Sequence, residues 1–235
     1  MISFIVPAHN EAQALGRTLA ALRRAAAEAG VPAELIVVDD ASTDATPRIA
    51  REAGARVVSV AHRQISRTRN AGAAVARGEL LLFVDADTEV PPATLAETIE
   101  AVRRGAVGGG AGFRFDAPVP VPLRVVGFAV RVCMRALRLA AGSYLFCTRQ
   151  AFEATGGFDE RLYVTEEIAL SRALKRVGRF TIVRFPVITS GRKARTHGVR
   201  EWLQPFLALA RHGRGAFRRR EDLELWYGGR RNDPR

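Results

Sequence analysis

Residues Leu80 to Val84 are uniformly apolar, and the run stops on two carboxylates, Asp85 and Asp87. A run this short does not make a lone helix; it suits a strand buried on both faces. Such strands are typical of parallel sheets covered on both faces by helices, the α/β architecture. This one would deliver Asp85 and Asp87 to the carboxyl edge of the sheet, where open α/β sheets bind their ligands. Residues i and i+2 of an extended chain point to the same side. The two carboxylates can therefore share one divalent cation or one cation–phosphate assembly, because hard cations take oxygen ligands. A loop that caps the next helix would carry the same residues, and Asp-x-Asp alone does not separate the two readings.

The rest of the first half repeats the theme. Ser3 to Val6 reads as a strand ended by Pro7, and Glu34 to Val38 as a second strand ending on Asp39-Asp40. Arg56 to Val60 reads as a third. Between them, Ala12, Leu15, Leu19, Leu22 and Ala26 recur every three or four residues, a core-facing helical stripe. Ser42-Thr43-Asp44 offers N-cap oxygens, and Thr46-Pro47 suits a helix start. Arg67 to Arg77 predicts a small-residue helix closed by Gly78, and Pro91-Pro92 opens another through about Arg104. Strands alternating with helices imply crossover connections and a largely parallel sheet. Residues 1–105 thus read as a nucleotide-type α/β half.

The second half is less regular. Gly108 to Gly112 reads as a glycine-rich stretch before a strand at Phe113-Arg114-Phe115, and residues 118–122 as a Pro/Val loop. Helices are predicted over Val125–Leu139, Ala151–Thr155 and Ile168–Val177, a strand over Arg179–Phe185 ended by Pro186, and a late helix over Trp202–Arg211. One domain over 1–235 is expected, with an acceptor and catalytic half at 106–217 and a basic tail at 218–235.

Composition narrows the partners. A hydrophobic fraction of 48% with 26% charged residues is that of a globular chain. The formal charge of +12, from 36 Lys+Arg against 24 Asp+Glu, favours anionic partners such as phosphorylated small molecules or anionic lipid headgroups. Nucleic acid is not expected, because aromatics make up only 7% of the chain and do not interleave with the basic residues. Cys133 and Cys147 lack metal-ligand spacing and a disulfide framework, which fits a reducing cytoplasm. No signal peptide or membrane-spanning run is read.

Polar groups sit at four strand ends: His9-Asn10-Glu11, Asp39-Asp40, the region near His62-Arg63, and Asp85/Asp87. Acidic groups there can accept from ribose hydroxyls or base N–H groups, and arginines can meet phosphates bidentately. Neither G-x-G-x-x-G nor G-x-x-x-x-G-K-[ST] is present, so a dinucleotide fingerprint and a P-loop are unsupported.

Five motifs in order carry a resemblance. Phe4-Ile5-Val6-Pro7-Ala8-His9-Asn10-Glu11, Ile36-Val37-Val38-Asp39-Asp40-Ala41-Ser42-Thr43-Asp44, Arg69-Asn70-Ala71-Gly72, Phe83-Val84-Asp85-Ala86-Asp87 and Ala151–Glu160 together resemble family 2 glycosyltransferases of the GT-A fold. The resemblance implies a Rossmann-like nucleotide-binding half with a mostly parallel central sheet flanked by helices. It implies a metal-dependent, inverting transfer of a sugar from a nucleotide-diphosphate donor to an acceptor hydroxyl or phosphate. Glu11 and Asp40 would hold ribose and base, Arg69 would lie near the nucleotide or its phosphates, and Pro7, His9 and Ala86 belong to the donor-side motifs. Asp85 and Asp87 would hold Mg²⁺ or Mn²⁺, with Asp87 the principal ligand, and the metal would neutralise the leaving diphosphate.

The family takes its base from an acidic pair ahead of a helix, matched here by Glu166-Glu167. Glu167 stands where the family has Asp, which keeps the carboxylate and adds a methylene. Glu166 is the alternative base, and a plain helix cap favouring the dipole is the other reading. His197 is a metal candidate or a surface histidine in a basic loop. Arg192 and Arg195 are phosphate-clamp candidates, and Ser143 follows Gly142 where relatives carry Gly-Asp on the acceptor side. The Gln-x-x-Arg-Trp signature of processive members is absent.

Arg124, Arg131, Arg135 and Arg138 fall on one helical face beside Val125, Val126, Phe128, Val132, Leu137 and Leu139. Two readings stand: an interfacial helix serving a lipid-linked acceptor at the inner face of an anionic membrane, or a core-packed helix with a solvated basic face. Two other activities remain to be weighed: a sugar-nucleotide nucleotidyltransferase, which would want a glycine-rich, lysine-bearing phosphate loop, and a non-catalytic nucleotide binder.

Overall fold

The computed structural model describes residues 1–118, 121–140 and 142–192. Among them, one sheet of eight strands runs in the order β3-β2-β1-β4-β7-β6-β8-β5. The strands are β1 (Ile2–Ala8), β2 (Ala33–Asp40), β3 (Arg56–Val60), β4 (Leu80–Val84), β5 (Thr88–Glu89), β6 (Ala106–Phe115), β7 (Tyr144–Thr148) and β8 (Arg179–Thr189). The helices are α1 (Leu15–Glu28), α2 (Thr46–Glu52), α3 (Ile65–Val75), α4 (Pro92–Arg103), α5 (Val121–Leu137), α6 (Arg149–Thr155) and α7 (Glu166–Val177). β3, β2, β1 and β4 are mutually parallel, as the βα alternation requires. β7 then runs antiparallel to β4 and β6, while β8 returns parallel to β6.

The central strands are buried on both faces because side chains alternate along them. Phe4, Val6, Val37 and Leu82 meet Leu15, Leu19, Leu22 and Leu95 on one side. Ile5, Ile36, Val38, Leu81 and Phe83 meet Ala73, Phe152, Phe158, Leu170 and Leu174 on the other. Every residue of β4 is 8% exposed or less. Burial of each such Leu or Phe stabilises the fold by roughly 1.5–3 kcal/mol relative to exposure.

Gly72 lets α3 lie directly on the sheet, since a Cβ there would overlap Ile5 and come within 2.8 Å of Val38 Cγ2. Gly109 plays the same part in β6, where a Cβ would overlap Phe146 and the Thr181 carbonyl oxygen. The strand expected at Phe113-Arg114-Phe115 therefore starts earlier, at Ala106, and takes in the glycine-rich stretch. Gly is generally poor in strands, yet here a side chain would push β7 and β8 away.

Other boundaries also move. Pro7 and Pro186 lie inside β1 and β8 rather than ending them. Gly78 lies beyond the end of α3, with its N–H bonded to Ser3 Oγ at 2.8 Å, so it closes a crossing with β1 and not the helix. β7 was not read from the sequence at all. The late helix over Trp202–Arg211 lies outside the described residues.

α5 orients unexpectedly. Arg131 Nη1 donates to the Phe113 carbonyl (3.4 Å) and Arg135 Nη1 to that of Val183 (3.2 Å), so arginines of the basic face turn back onto β6 and β8. Val125, Phe128, Val132 and Leu137 are instead 52–63% exposed. The core-packed reading fails for these four apolar side chains, while Arg124, Arg135 and Arg138 remain exposed as that reading expects.

Candidate active site at the carboxyl ends of β1, β2 and β4

The loops after β1 and β2 are stitched together. Asn10 sits at φ 53°, a left-handed conformation that Asn tolerates. Its amide N–H donates to Ser42 Oγ at 3.0 Å, and its Oδ1 accepts from the Thr43 N–H at 2.8 Å. Asp44 accepts from the N–H groups of Thr46 (2.9 Å) and Ala12 (3.1 Å), capping α2. Burial works to raise its pKa, but these bonds outweigh it and hold the carboxyl below the usual range.

This scaffold presents His9 and Glu11. The His9 ring lies 2.8 Å from the Asp40 carbonyl oxygen and against the Arg63 guanidinium. Glu11 is buried, and its carboxylate meets Arg192 Nη2 at 3.2 Å. The chain thus returns, just past β8, to the mouth of the β1–α1 turn. Asp40 is used structurally: Oδ1 accepts from the Arg63 N–H (2.8 Å), Oδ2 from the Gln64 N–H (3.2 Å) and Thr68 Oγ1 (2.8 Å). These bonds anchor the first turn of α3. Its neighbour Asp39 points to the opposite face of β2, with Oδ1 buried and without a hydrogen-bond partner. Asp39 stood in the sequence beside Asp40, but only the alternation of faces separates an anchored carboxylate from an unengaged oxygen.

Arg69 is the hub. It is 2% exposed on α3. Nη1 donates to Glu166 Oε1 at 2.7 Å and Glu167 Oε1 at 2.9 Å. Nη2 donates to Asp85 Oδ1 at 2.9 Å and to the Gly142 carbonyl at 3.4 Å. Phe158 lies beneath the guanidinium, 5.3 Å from ring centroid to Cζ. Burial alone would favour loss of its proton, but the facing carboxylates Glu167, Asp85 and Glu166 reverse this and keep the cation charged.

The acidic pair arrives on a strained turn. Thr165, at the start of α7, adopts φ 66°, which is rare for a β-branched residue, and its side chain makes no cap bond. Glu166 and Glu167 then occupy the first turn, where the helix dipole favours anions. Their environments differ sharply. The Glu166 side chain is 3% exposed and that of Glu167 13%. Burial, then the charge of Glu167, push the Glu166 carboxyl well above the usual carboxylate range, while Arg69 pulls the other way. Glu166 Oε2 is buried without a hydrogen-bond partner.

The Asp85-Ala86-Asp87 turn is held by its backbone. The Asp85 N–H donates to the Ser143 carbonyl at 3.2 Å, and Thr18 Oγ1 to that of Ala86 at 2.9 Å. The Asp87 carbonyl accepts from the Ser190 N–H at 3.1 Å. Ser143 is therefore a neighbour of the acidic turn through its backbone. Among the described residues no cluster of three or more His, Cys, Asp or Glu side chains forms a cation site. Two partly exposed carboxylates nonetheless fit Mg²⁺ or Mn²⁺ bound together with substrate phosphates, which needs only one or two protein carboxylates. Arg195 and His197 lie outside the described residues.

Similarity to known proteins agrees with this geometry. The sequence model described as "Glycosyl transferase family 2" matches residues 3–144. "Glycosyltransferase AglD" of Haloferax volcanii is 30% identical over 205 residues, 79% of this chain and 32% of that protein. "Undecaprenyl-phosphate 4-deoxy-4-formamido-L-arabinose transferase" of Edwardsiella ictaluri is 31% identical over 114 residues, 44% of this chain and 34% of that one. The chain spans about a third of the length of these relatives. The mannosyltransferase PcManGT of Pyrobaculum calidifontis, solved with GDP-Man and Mn²⁺, shares the fold at a TM-score of 0.66 and 20% identity, covering 95% of this chain and 68% of its own. With its family motifs spread across β1, β2, α3 and β4, this chain belongs to family 2 of the glycosyltransferases.

Proposed function

We propose that the chain is the catalytic part of a metal-dependent, inverting glycosyltransferase that moves a sugar from a nucleotide-diphosphate donor to an acceptor hydroxyl. The observation that carries this is the Arg69 hub, which joins Asp85 of the acidic turn to the Glu166-Glu167 pair. One side of such a site handles the leaving group and the other the nucleophile. Residues 1–105 would serve the donor and 106–217 the acceptor.

Glu11, Asp39 and Asp40 lie at the strand ends where a nucleoside would be held, with Pro7 and His9 framing the same turn. Asp87, helped by Asp85, would hold Mg²⁺ or Mn²⁺, which when bound offsets the negative charge of the departing diphosphate. Glu167 is the more exposed member of the pair and takes the base role; Glu166 is its buried support. As the acceptor oxygen bonds to the anomeric carbon, Glu167 accepts its proton, and the bond from that carbon to the diphosphate oxygen breaks with its electron pair leaving on the diphosphate. A phosphate acceptor would be anionic already and would need no base, so the carboxylate pair favours a hydroxyl. Arg192 would meet the diphosphate, and Arg195 and His197, outside the described residues, are candidates for the same task by sequence alone.

The apolar stripe of α5 supports an acceptor presented at a lipid surface. Among the described residues no helix is long and apolar enough to cross a membrane. A nucleotidyltransferase is disfavoured because the β1–α1 turn, Ala8 to Ala14, holds neither glycine nor lysine. Titration calorimetry with UDP- and GDP-sugars tests the reading. One donor binds with Mn²⁺ present, and Asp87→Ala weakens that binding at least tenfold, about 1.4 kcal/mol. Binding indifferent to both metal and Asp87 contradicts it.

A further inference from the structure

We infer that Arg69 is a positioning residue that sets the geometry of the Glu167 carboxylate, and not a ligand of the donor phosphates. The inference rests on the proposed role of Glu167 as base. A guanidinium has five N–H donors. The two Nη groups of Arg69 are spent on Glu166, Glu167, Asp85 and the Gly142 carbonyl, and its Nε is buried without a partner. No donor faces solvent, and the side chain is only 3% exposed. One cation paired with Asp85 and Glu167, with the Glu166 carboxyl on its inner side, also presents little positive field to a diphosphate.

The arrangement does suit a different task. The planar fork fixes two groups at once: Asp85, in the acidic turn, and Glu167, on α7, 82 positions further along the chain. Phe158 lies below the fork and limits its orientation. Glu166 takes the inner side of Nη1 and leaves Glu167 the outer, more exposed one. The extra methylene of Glu167 over aspartate lets its carboxylate bend back to the guanidinium. Lysine keeps the charge but is a point donor that cannot bridge these partners in one plane.

The test is a double-mutant cycle of Arg69→Lys and Glu167→Gln in the full chain, reading kcat and donor KM from released nucleoside diphosphate. Arg69→Lys is expected to lower kcat by about 10²-fold, the effect of displacing a reacting group by about 1 Å, with donor KM held within about threefold. In the Glu167→Gln background the same change has no further effect on kcat, because residues that act as a unit are non-additive. A donor KM that rises while kcat is kept, or a kcat loss that multiplies with that of Glu167→Gln, overturns the positioning role. Wild-type kcat in Glu167→Gln alone instead overturns the base assignment, so the two failures are distinct. If Arg69→Lys does not fold, Phe158→Leu keeps every charge and removes the ring under the fork. It must then lower kcat about fivefold with donor KM unchanged; unchanged kcat contradicts the role.

Discussion

At the scale of the residue, Glu166 makes a prediction of its own. Its carboxyl is raised by burial first and by Glu167 second, against the pull of Arg69. A folded-state value above the unfolded one means that the folded chain holds this proton more tightly. The stability so conferred is full below the unfolded value, about pH 4.3, and is lost as the pH rises through the folded one. Glu166→Gln removes the titration. Its melting temperature relative to wild type should therefore climb as the pH rises above the unfolded value, read by thermal melts followed by circular dichroism; a constant difference contradicts the account. Little of this was legible beforehand. Glu166-Glu167 could be picked out as an acidic pair, but which member is buried depends on Arg69, 97 residues away, and on Phe158, which nothing in the sequence tied to either.

At the scale of the element, short apolar runs were the reliable signal. Leu80–Val84 appears as read because a run buried on both faces has no periodicity to misjudge. β7, Tyr144-Leu145-Phe146-Cys147-Thr148, is equally apolar and was passed over between two helical patterns, although it completes the sheet between β4 and β6. The glycines of β6 lie ahead of the strand expected at Phe113-Arg114-Phe115, whereas packing against Phe146 makes them part of it. Gly72 shows the same logic at the site. Gly72→Ala should destabilise the chain by about 1–3 kcal/mol through overpacking against Ile5 and Val38, measured by urea unfolding; a loss below about 0.5 kcal/mol would mean that α3 is not seated as described. For α5 the sequence showed which residues share a face but not which face the sheet takes. Phe128→Glu with Val132→Glu should cut co-sedimentation with anionic phosphatidylglycerol vesicles at least fivefold, a loss of about 1 kcal/mol. Equal binding of the pair variant and wild type removes α5 from the lipid account.

At the scale of the molecule, the parallel β3-β2-β1-β4 block and the mixed β7-β6-β8-β5 block are parts of one sheet, and the candidate site lies along their seam. Asp85 leaves β4, its N–H is held by the residue before β7, and Asp87 is held by the residue after β8. The acidic turn is thus tied by its backbone to both blocks of the sheet, as the sheet order explains. A surplus of +12 charges would favour the approach of an anionic donor or surface. The central claim is that Glu167 removes the acceptor proton while a donor sits at Asp87. Its most direct measurement is nucleoside-diphosphate release from the donor that binds, with acceptor present, by wild type and Glu167→Gln. The account predicts that the variant binds donor normally and turns over about 10²–10⁴-fold more slowly; a Glu167→Gln protein with full turnover contradicts it.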